Sequence, residues 1–400
     1  MPPPQGPTPD LQQDLQQDLP PDRPQDRPQH LRHDLAVLLP RDLPAADVLT
    51  YARRAEGLGF DELWVVEDLG FRGGVAQAAA VLAATTRIRV GVGILPAAAR
   101  NAAFAAMEVA TLAALFPGRV DVGVGHGMPG WMRSAGAWPA RPLGLLEAWT
   151  TAVRDLLAGR TVTLHAAGVD LDAVALDPSA VPAVAPRLLA GVRGPRSLAL
   201  AGRVLDGTVL AEPVTPEYVG AAREQIAAPG PHRVVGYHVT SVDEDAARAL
   251  AAARPGLRWV GEPDWAPHLA PLPFADGLAE LRAEVDGPEA FARRMPDAWV
   301  RQLALAGTPS DVRARLSALS AAGLDCSVLM PVGDDPLGAL EDLATLREPL
   351  AADAGRPRLS RPGPDGTRER EADESGPRRR STPPTALRGQ AAARRRGGQA

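Results

Sequence analysis

The chain has 400 residues and a formal net charge of −5, from 43 basic and 48 acidic residues. Every basic residue is an arginine, which excludes lysine-dependent chemistry, and the single cysteine, Cys326, excludes a disulfide framework and a cysteine-ligated iron–sulfur cluster. The negative charge disfavours nucleic-acid binding by the body of the chain. No run of about 18 apolar residues predicts a membrane span, and no signal-peptide pattern is present, so a cytoplasmic location is expected.

The two ends of the chain differ from its middle in composition. Residues 1–34 contain nine prolines and no aromatic residue, and residues 351–400 contain six prolines, twelve arginines and no aromatic residue. Segments with so little apolar content cannot offset the entropy lost on ordering. Both ends are therefore predicted to be disordered, and residues 35–350 are predicted to form one domain.

The middle of the chain alternates short β-rich runs with amphipathic helical patterns. The predicted strands are 35–40, 63–66, 88–96, 120–124, 187–192, 208–211, 234–239 and 326–331. The proline-spaced stretch 159–186 is predicted to be an irregular insertion after the fourth helix, and 254–300 to be irregular or short-helical. Eight strands, each followed by a helix, predict an α/β fold, the (β/α)8 TIM barrel. A doubly wound open sheet that binds a dinucleotide would carry G-x-G-x-x-G after the first strand, and this motif is absent.

In such barrels the active site lies at the C-terminal ends of the strands. The second strand here ends at Glu67 and Asp68. Two adjacent acids at this place predict an inward carboxylate for a substrate or a proton, so both are candidate catalytic residues. The alternative is an aspartate that only caps the next helix.

Glycines cluster at the ends of the third and fourth strands. Gly91 and Gly93 favour a planar ligand lying against the backbone, or else a bulge that shapes the barrel. The fourth strand runs into Gly125, His126 and Gly127, where flanking glycines expose backbone N–H groups. His126 is predicted to bond a bound ring or phosphate or to transfer a proton, and the alternative is a solvent-facing loop histidine.

The fifth strand leads into a helix start with the clearest anion-binding pattern in the chain. Its residues are Arg193, Gly194, Pro195, Arg196 and Ser197. Glycine allows a tight turn, proline fixes the helical φ, and the free N–H groups of a helix N-terminus attract anions. The two arginines add donors suited to phosphate. A phosphate site is therefore favoured over a plain helix cap.

Other catalytic signatures are absent from the sequence. It contains neither a G-x-S-x-G nucleophile elbow nor an H-E-x-x-H zinc motif. His30 and His33 are three residues apart, but they fall in the predicted disordered lead. No metal site is expected.

Several segments resemble the bacterial-luciferase-like family of flavin- or deazaflavin-dependent oxidoreductases. They are 51–68, 85–96, 107–127, 194–212 and 295–333. The segment GPRSLALAGRVLDGTVLAE at 194–212 and an Ala-Gly-Thr-Pro sequence near the end are the more specific ones. The resemblance implies a (β/α)8 barrel with an insertion after the fourth helix, an oxidoreductase or monooxygenase activity on a small molecule, and a homodimer.

The resemblance also implies which residues hold the cofactor. Its ring is expected at the C-terminal mouth of the barrel, where a bulge with a non-prolyl cis peptide backs it in deazaflavin-using members. The matching bond here is Gly93–Ile94. The loop Gly125–Gly127 would hold the ribityl or phosphate region, and Gly194–Ser197 would bind the phosphate.

The Gly-Pro-Arg-Ser helix start most resembles methylenetetrahydromethanopterin-reductase-like members, so coenzyme F420 is preferred over FMN. An actinobacterial-type composition fits this choice. The expected reaction is hydride transfer between F420 and an unknown organic substrate; the alternatives are an FMNH2-dependent monooxygenase and a non-catalytic binding barrel. Many members carry Asp-His or Glu-His where this chain has Glu67–Asp68, so the proton donor stays open, with His126 and Glu67 as candidates.

Overall fold

The computed structural model describes residues 33–347, which alternate strands and helices along the chain. In chain order the strands are β1 (Asp34–Leu38), β2 (Glu62–Val65), β3 (Arg89–Pro96), β4 (Val120–Gly125), β5 (Val162–Ala166), β6 (Val169–Val174), β7 (Arg187–Gly191), β8 (Gly207–Leu210), β9 (Arg233–Val242), β10 (Leu305–Gly307) and β11 (Cys326–Pro331). The α-helices are α1 (Val48–Gly57), α2 (Gly74–Ala84), α3 (Ala102–Leu115), α4 (Pro129–Ser134), α5 (Pro142–Leu157), α6 (Pro195–Val204), α7 (Pro216–Ile226), α8 (Ala246–Ala253), α9 (Ala266–Leu269), α10 (Ala275–Glu284), α11 (Gly287–Arg294), α12 (Asp297–Leu303), α13 (Pro309–Ala321) and α14 (Pro336–Ala344).

Eight of the strands close into a parallel barrel. Their order is β1, β2, β3, β4, β7, β8, β9 and β11, and β11 pairs back with β1. Every one of these pairings is parallel, as consecutive strand–helix units require. The predicted (β/α)8 barrel is therefore confirmed, and all C-terminal strand ends meet at one mouth.

Helix starts follow the capping chemistry of the sequence. Thr308 and Asp311 form a reciprocal capping box at the start of α13, and the side chain of Thr215 accepts a hydrogen bond from Tyr218 N at the start of α7. Each cap satisfies a backbone N–H group that a helix start would otherwise leave free. These contacts fix where the helices leave the barrel mouth.

The predicted irregular insertion at 159–186 is wrong in part. It contains an antiparallel hairpin of β5 and β6. The two strands are joined at Ala167 and Gly168, which both have positive φ, 52° and 97°. The segment Val169–Val174 alternates apolar and polar residues, and its apolar Val169 and Leu171 are buried. This period of two indicates a strand, although the prolines that follow it obscure the pattern.

The stretch 254–300 is short-helical, as predicted, and carries α9 to α12. It builds its own apolar cluster against β9, α8 and β10, with Leu257, Phe291 and Val300 fully buried. The strand β10, which pairs with the end of β9, was not predicted. A three-residue strand is too short to show a period in the sequence.

The predicted start of the domain at residue 35 is slightly late. Asp34 belongs to β1 and pairs with Cys326 of β11. His33, assigned to the disordered lead, bonds Leu324 O at 2.9 Å and Ser327 Oγ at 2.8 Å. The predicted disordered segments otherwise lie outside the described residues.

The barrel interior is layered along its axis, because alternate residues of each strand point inward. The level at the N-terminal strand ends is charged and consists of Asp34, Glu62, Arg89, Asp121, Arg187 and Arg233. An apolar cluster that includes Trp64 and Val235 fills the middle. Tyr237 belongs to the same cluster and lies at its end nearest the mouth. The middle of the barrel interior is therefore a packed apolar core, and the polar side chains described here lie at its two ends.

Among the described helices, none combines the length and the apolar character needed to cross a bilayer.

Candidate active site

A bulge in β3 shapes the mouth of the barrel. The register of β3 on β4 shifts between Val92 and Leu95, and the peptide bond Gly93–Ile94 is cis. The bulge and the cis bond expected at this position are thus present in the structure. The bulge turns Ile94 toward β7, where a Cβ on Gly191 would lie only 2.3 Å from Ile94 Cγ2.

The glycines of β3 make room for side chains of the protein itself. A Cβ on Gly91 would lie 2.3 Å from the Trp64 ring, and one on Gly93 would lie 1.9 Å from Tyr237 Oη. The bulge that the sequence offered as one reading of Gly91 and Gly93 is present, and the contact of Gly93 with a planar ligand stays a prediction. Any ring at this place would also meet the bulge around Ile94.

His126 and Ser197 come together from two strand exits. His126 Nε2 lies 3.3 Å from Ser197 Oγ, which joins the loop after β4 to the first turn of α6. Burial lowers the pKa of His126, and a hydrogen bond with the Pro142 backbone offsets this only in part. Burial thus favours the neutral ring, and the predicted roles of His126 in cofactor binding and proton transfer stay predictions.

The N-terminus of α6 is open in the way the sequence predicts. Gly194 is the N-cap and supplies no side-chain hydrogen bond, and Pro195 follows it. A Cβ on Gly194 would meet no atom within 4 Å, and Arg196 is exposed. The helix start therefore borders open space with uncapped N–H groups, which is the geometry of an anion site.

Arg193 turns away from this helix start. Its Nη1 donates to Asp264 O at 2.9 Å, and its guanidinium carbon lies 5.2 Å from the centre of the Trp265 ring. The predicted contact of Arg193 with a cofactor phosphate stays a prediction. In the structure this residue ties the segment 254–300 to the mouth.

The two acids after β2 have different surroundings. Both oxygens of Glu67 accept hydrogen bonds from Arg100, one at 2.8 Å, and Gly74 N donates to it at 2.7 Å. This arrangement favours a supporting role for Glu67 over proton donation. Asp68 is paired with Arg41, which also stacks on Phe71. The proposed catalytic roles of both acids stay predictions.

Two residues at the mouth were not selected from the sequence. Glu212 follows β8, and burial raises the pKa of its carboxyl group; Arg193 lowers this pKa and Asp68 raises it. Tyr237 is buried, and its hydroxyl lies 3.5 Å from Gly93 O, at the long limit of a hydrogen bond. Glu212 lies two residues after the end of β8, as Glu67 lies two residues after the end of β2, so the signal that selected Glu67 could also have selected Glu212. Tyr237 could have been selected because alternate residues of β9 point into the barrel and Tyr237 is one of them.

The segment 254–300 covers the β7–β8 side of the mouth. Trp265 Nε1 donates to Glu212 O at 3.0 Å, and His268 Nδ1 lies 3.3 Å from Pro213 O. The His268 ring also stacks on Tyr218, with 4.5 Å between ring centres. These contacts hold the segment 254–300 against the loop that follows β8.

These features define a (β/α)8-barrel enzyme whose mouth can hold a phosphate-bearing ligand. Within residues 33–347, no cluster of His, Cys, Asp and Glu side chains is arranged to hold a metal ion. A family model described as luciferase-like monooxygenase matches residues 27–326. The chain therefore belongs to the luciferase-like monooxygenase family.

Named relatives of the chain are oxidoreductases. It is 29% identical over 321 residues to the 5,10-methylenetetrahydromethanopterin reductase of Methanolobus tindarius, covering 76% of this chain and 95% of the reductase. It is 33% identical over 232 residues to the F420-dependent glucose-6-phosphate dehydrogenase of Beutenbergia cavernae, covering 52% and 68%. The solved F420-dependent tetrahydromethanopterin reductase of Methanopyrus kandleri shares the fold, with a TM-score of 0.66, 19% identity and coverage of 78% and 97%. A solved Baeyer–Villiger monooxygenase from Pseudomonas putida in complex with FMN also shares the fold, with a TM-score of 0.60 and 17% identity.

Proposed function

We propose that the protein is an oxidoreductase that transfers a hydride between the deazaflavin coenzyme F420 and a small organic substrate. The observation that carries the proposal is the juxtaposition of two features at one mouth. The bulge at Gly93–Ile94 packs on Gly191, and Gly191 lies three residues before the open helix start at Gly194. A ligand with a planar ring and a phosphate would contact both features.

The residues present fit such a cofactor. The start of α6 offers several hydrogen-bond donors suited to a phosphate. They are its free backbone N–H groups, the Ser197 hydroxyl and the exposed guanidinium of Arg196. His126 Nε2 lies within hydrogen-bond distance of the Ser197 hydroxyl and so would help to orient it. The loop Gly125–Gly127 stays the proposed contact for the ribityl region.

The hydride chemistry belongs to the cofactor, which supplies two electrons when bound. The chain contributes binding, orientation and exclusion of water. Ile94 would back the ring, and the buried side chains of Tyr237 and Trp64 close the barrel interior beneath the bulge. Segment 254–300 covers one side of the mouth, where Trp265 bonds Glu212 O.

F420 is favoured over FMN because a relative that is 33% identical over 52% of the chain is named as an F420-dependent dehydrogenase. The test is an equilibrium titration of the purified full-length protein with each cofactor, followed by fluorescence. We expect micromolar binding of F420 and weaker binding of FMN. Binding of FMN alone would replace the proposal with the monooxygenase alternative, which the FMN-bound structural neighbour supports. A folded protein that binds neither cofactor would favour the non-catalytic barrel.

A homodimer is the proposed assembly. Helix α3 carries Phe104, Met107 and Leu115 exposed, each with more than half of its surface accessible. A helix that is apolar on all sides normally has a partner on each face. Sedimentation analysis of the full chain tests this, and a monomer at micromolar concentration would contradict it. The cytoplasmic location stays a prediction.

A further inference from the structure

Arg100 and Glu67 form an ion pair between two strand exits of the barrel mouth. Glu67 lies two residues after the end of β2, and Arg100 lies four residues after the end of β3. The guanidinium contacts both carboxylate oxygens, because Nη1 donates to Oε1 and Nη2 donates to Oε2 at 2.8 Å. The side chains are 22% and 15% exposed. A two-point contact of this kind fixes the relative orientation of the two groups as well as their distance.

The same carboxylate holds the start of α2. Gly74 N, at the first residue of this helix, donates to Glu67 Oε2 at 2.7 Å, and the N-cap Gly73 makes no side-chain hydrogen bond. A Cβ on Gly74 would lie 3.0 Å from Val92 Cγ1 and 3.3 Å from Leu95 Cδ2. The register of β3 shifts between Val92 and Leu95. The helix start that Glu67 caps is therefore packed on both flanks of the bulge.

Arg100 also fixes the chain that leaves the bulge. Its Nε donates to Glu108 Oε2 on α3 at 3.1 Å, and its carbonyl oxygen accepts a hydrogen bond of 2.9 Å from Trp149 Nε1 on α5. Trp149 is buried, so this contact lies within the packed wall of the barrel. The bulge is thus held by the start of α2 on one side and by Arg100 on the other, and both contacts meet at Glu67.

The adjacent acid, Asp68, is held in a different way. It pairs with Arg41, which is 45% exposed and stacks on Phe71. Water competes strongly for an exposed pair, whereas it has less access to the contact between Arg100 and Glu67. Of the two acids that follow β2, Glu67 is therefore the one that connects the neighbouring elements rigidly.

We propose that Arg100 and Glu67 are positioning residues that set the orientation of the cofactor ring at the mouth, an inference that rests on the proposed function. They act through the bulge, because Ile94 would back the ring and the pair holds the backbone on either side of Ile94. Orientation matters because a hydride passes between two carbons that must lie within about 3–3.5 Å of each other. The phosphate would still bind at the start of α6, to which neither residue contributes, so loss of the pair should change cofactor affinity little.

The first test uses the full-length, cofactor-free protein. Arg100→Lys keeps the charge but loses the two-point contact with Glu67. The matched control is Arg223→Lys, because Arg223 is 32% exposed and contacts Asp325 at 2.8 Å at the opposite, N-terminal end of the barrel. Hydrogen exchange of the backbone at 89–96 should be about tenfold faster in Arg100→Lys and unchanged in the control. Unchanged exchange in Arg100→Lys, or equal acceleration in the control, would overturn the inference.

The second test adds F420 and reads the ring directly. Arg100→Lys and Glu67→Gln should each bind F420 within about threefold of wild type, but the visible circular dichroism that F420 acquires on binding should fall by about half or more in both. Arg223→Lys should give the wild-type spectrum. Because the two residues act through one contact, the double variant should lose little more than either single variant. Wild-type spectra in both single variants would contradict the inference.

The two tests also distinguish failure of the inference from failure of the proposed function. A wild-type protein that does not bind F420 would reject the proposed function. The exchange of residues 89–96 in the cofactor-free protein would then still decide whether Arg100 and Glu67 hold the bulge.

Discussion

The two ends of the barrel use the same residue types in opposite ways. At the N-terminal end, Glu62 accepts hydrogen bonds from Trp64 and Arg233, and Asp121 accepts from Arg89 and Arg187. Here three acids and three arginines balance one another. At the mouth, charged groups are only partly paired, which leaves Arg196 available. The paired charges at the N-terminal end hold neighbouring strands together, whereas unpaired charged groups at the mouth are free to contact a ligand.

The largest expected effect comes from breaking the paired end. Glu62 is 1% exposed, so Glu62→Gln leaves the largely buried Arg233 with less compensating charge. We expect a loss of about 3–5 kcal/mol in the free energy of unfolding, measured by urea titration. The control is Glu341→Gln at an exposed pair with Arg54, where less than about 1 kcal/mol should be lost. Equal losses in the two variants would show that the buried charges at the N-terminal end stabilise the fold no more than an exposed ion pair does.

Acidification should act on the mouth. The pKa of buried His268 is about 3 in the folded protein, against about 6.5 in the unfolded chain, so below pH 6.5 the unfolded state binds a proton that the folded state does not. The contribution of unprotonated His268 to the free energy of unfolding is fully present above pH 6.5 and is lost as the pH falls toward 3. Wild type should lose about 2 kcal/mol more than His268→Phe between pH 7 and pH 5, measured by urea unfolding. Parallel pH curves for the two proteins would contradict this.

A third change separates cofactor binding from stability. Arg196→Ala removes an exposed guanidinium beside the open start of α6, and we expect F420 affinity to fall about tenfold. Arg203→Ala, on the last turn of the same helix and equally charged, should bind as wild type does. Fluorescence titration measures both, and an equal loss in the two variants would indicate only a general charge effect.

The smallest effect is expected beneath the bulge. Tyr237→Phe removes a hydroxyl whose hydrogen bond to Gly93 O is long, so F420 affinity should fall about threefold. In Tyr218→Phe the lost hydroxyl has no hydrogen-bond partner among the described residues, and affinity should not change. Unchanged F420 affinity in Tyr237→Phe would show that the hydrogen bond from Tyr237 to the bulge does not contribute to cofactor binding.

The fold was predictable because barrel strands are long enough to show their pattern. Runs such as Ile88–Pro96 and Cys326–Pro331 contain several β-formers in succession. The hairpin at Val169–Val174 was missed because prolines follow it, and β10 because three residues show no period. Local patterns thus gave the architecture but not its short additions.

The site was only partly predictable, because spatial neighbours are not encoded in local spacing. The α6 start and the bulge follow from glycine and proline positions. In contrast, the contact of Gly93 with Tyr237 joins strands on opposite sides of the barrel. Only the folded chain shows that Arg193 donates to Asp264 O.

The most direct test of the account is a competition titration of the full-length protein with F420 in the presence of FMN. The account predicts that one F420 binds per chain with micromolar affinity and that an equal concentration of FMN does not displace it. Displacement of F420 by FMN, or a folded protein that does not bind F420, would contradict the account.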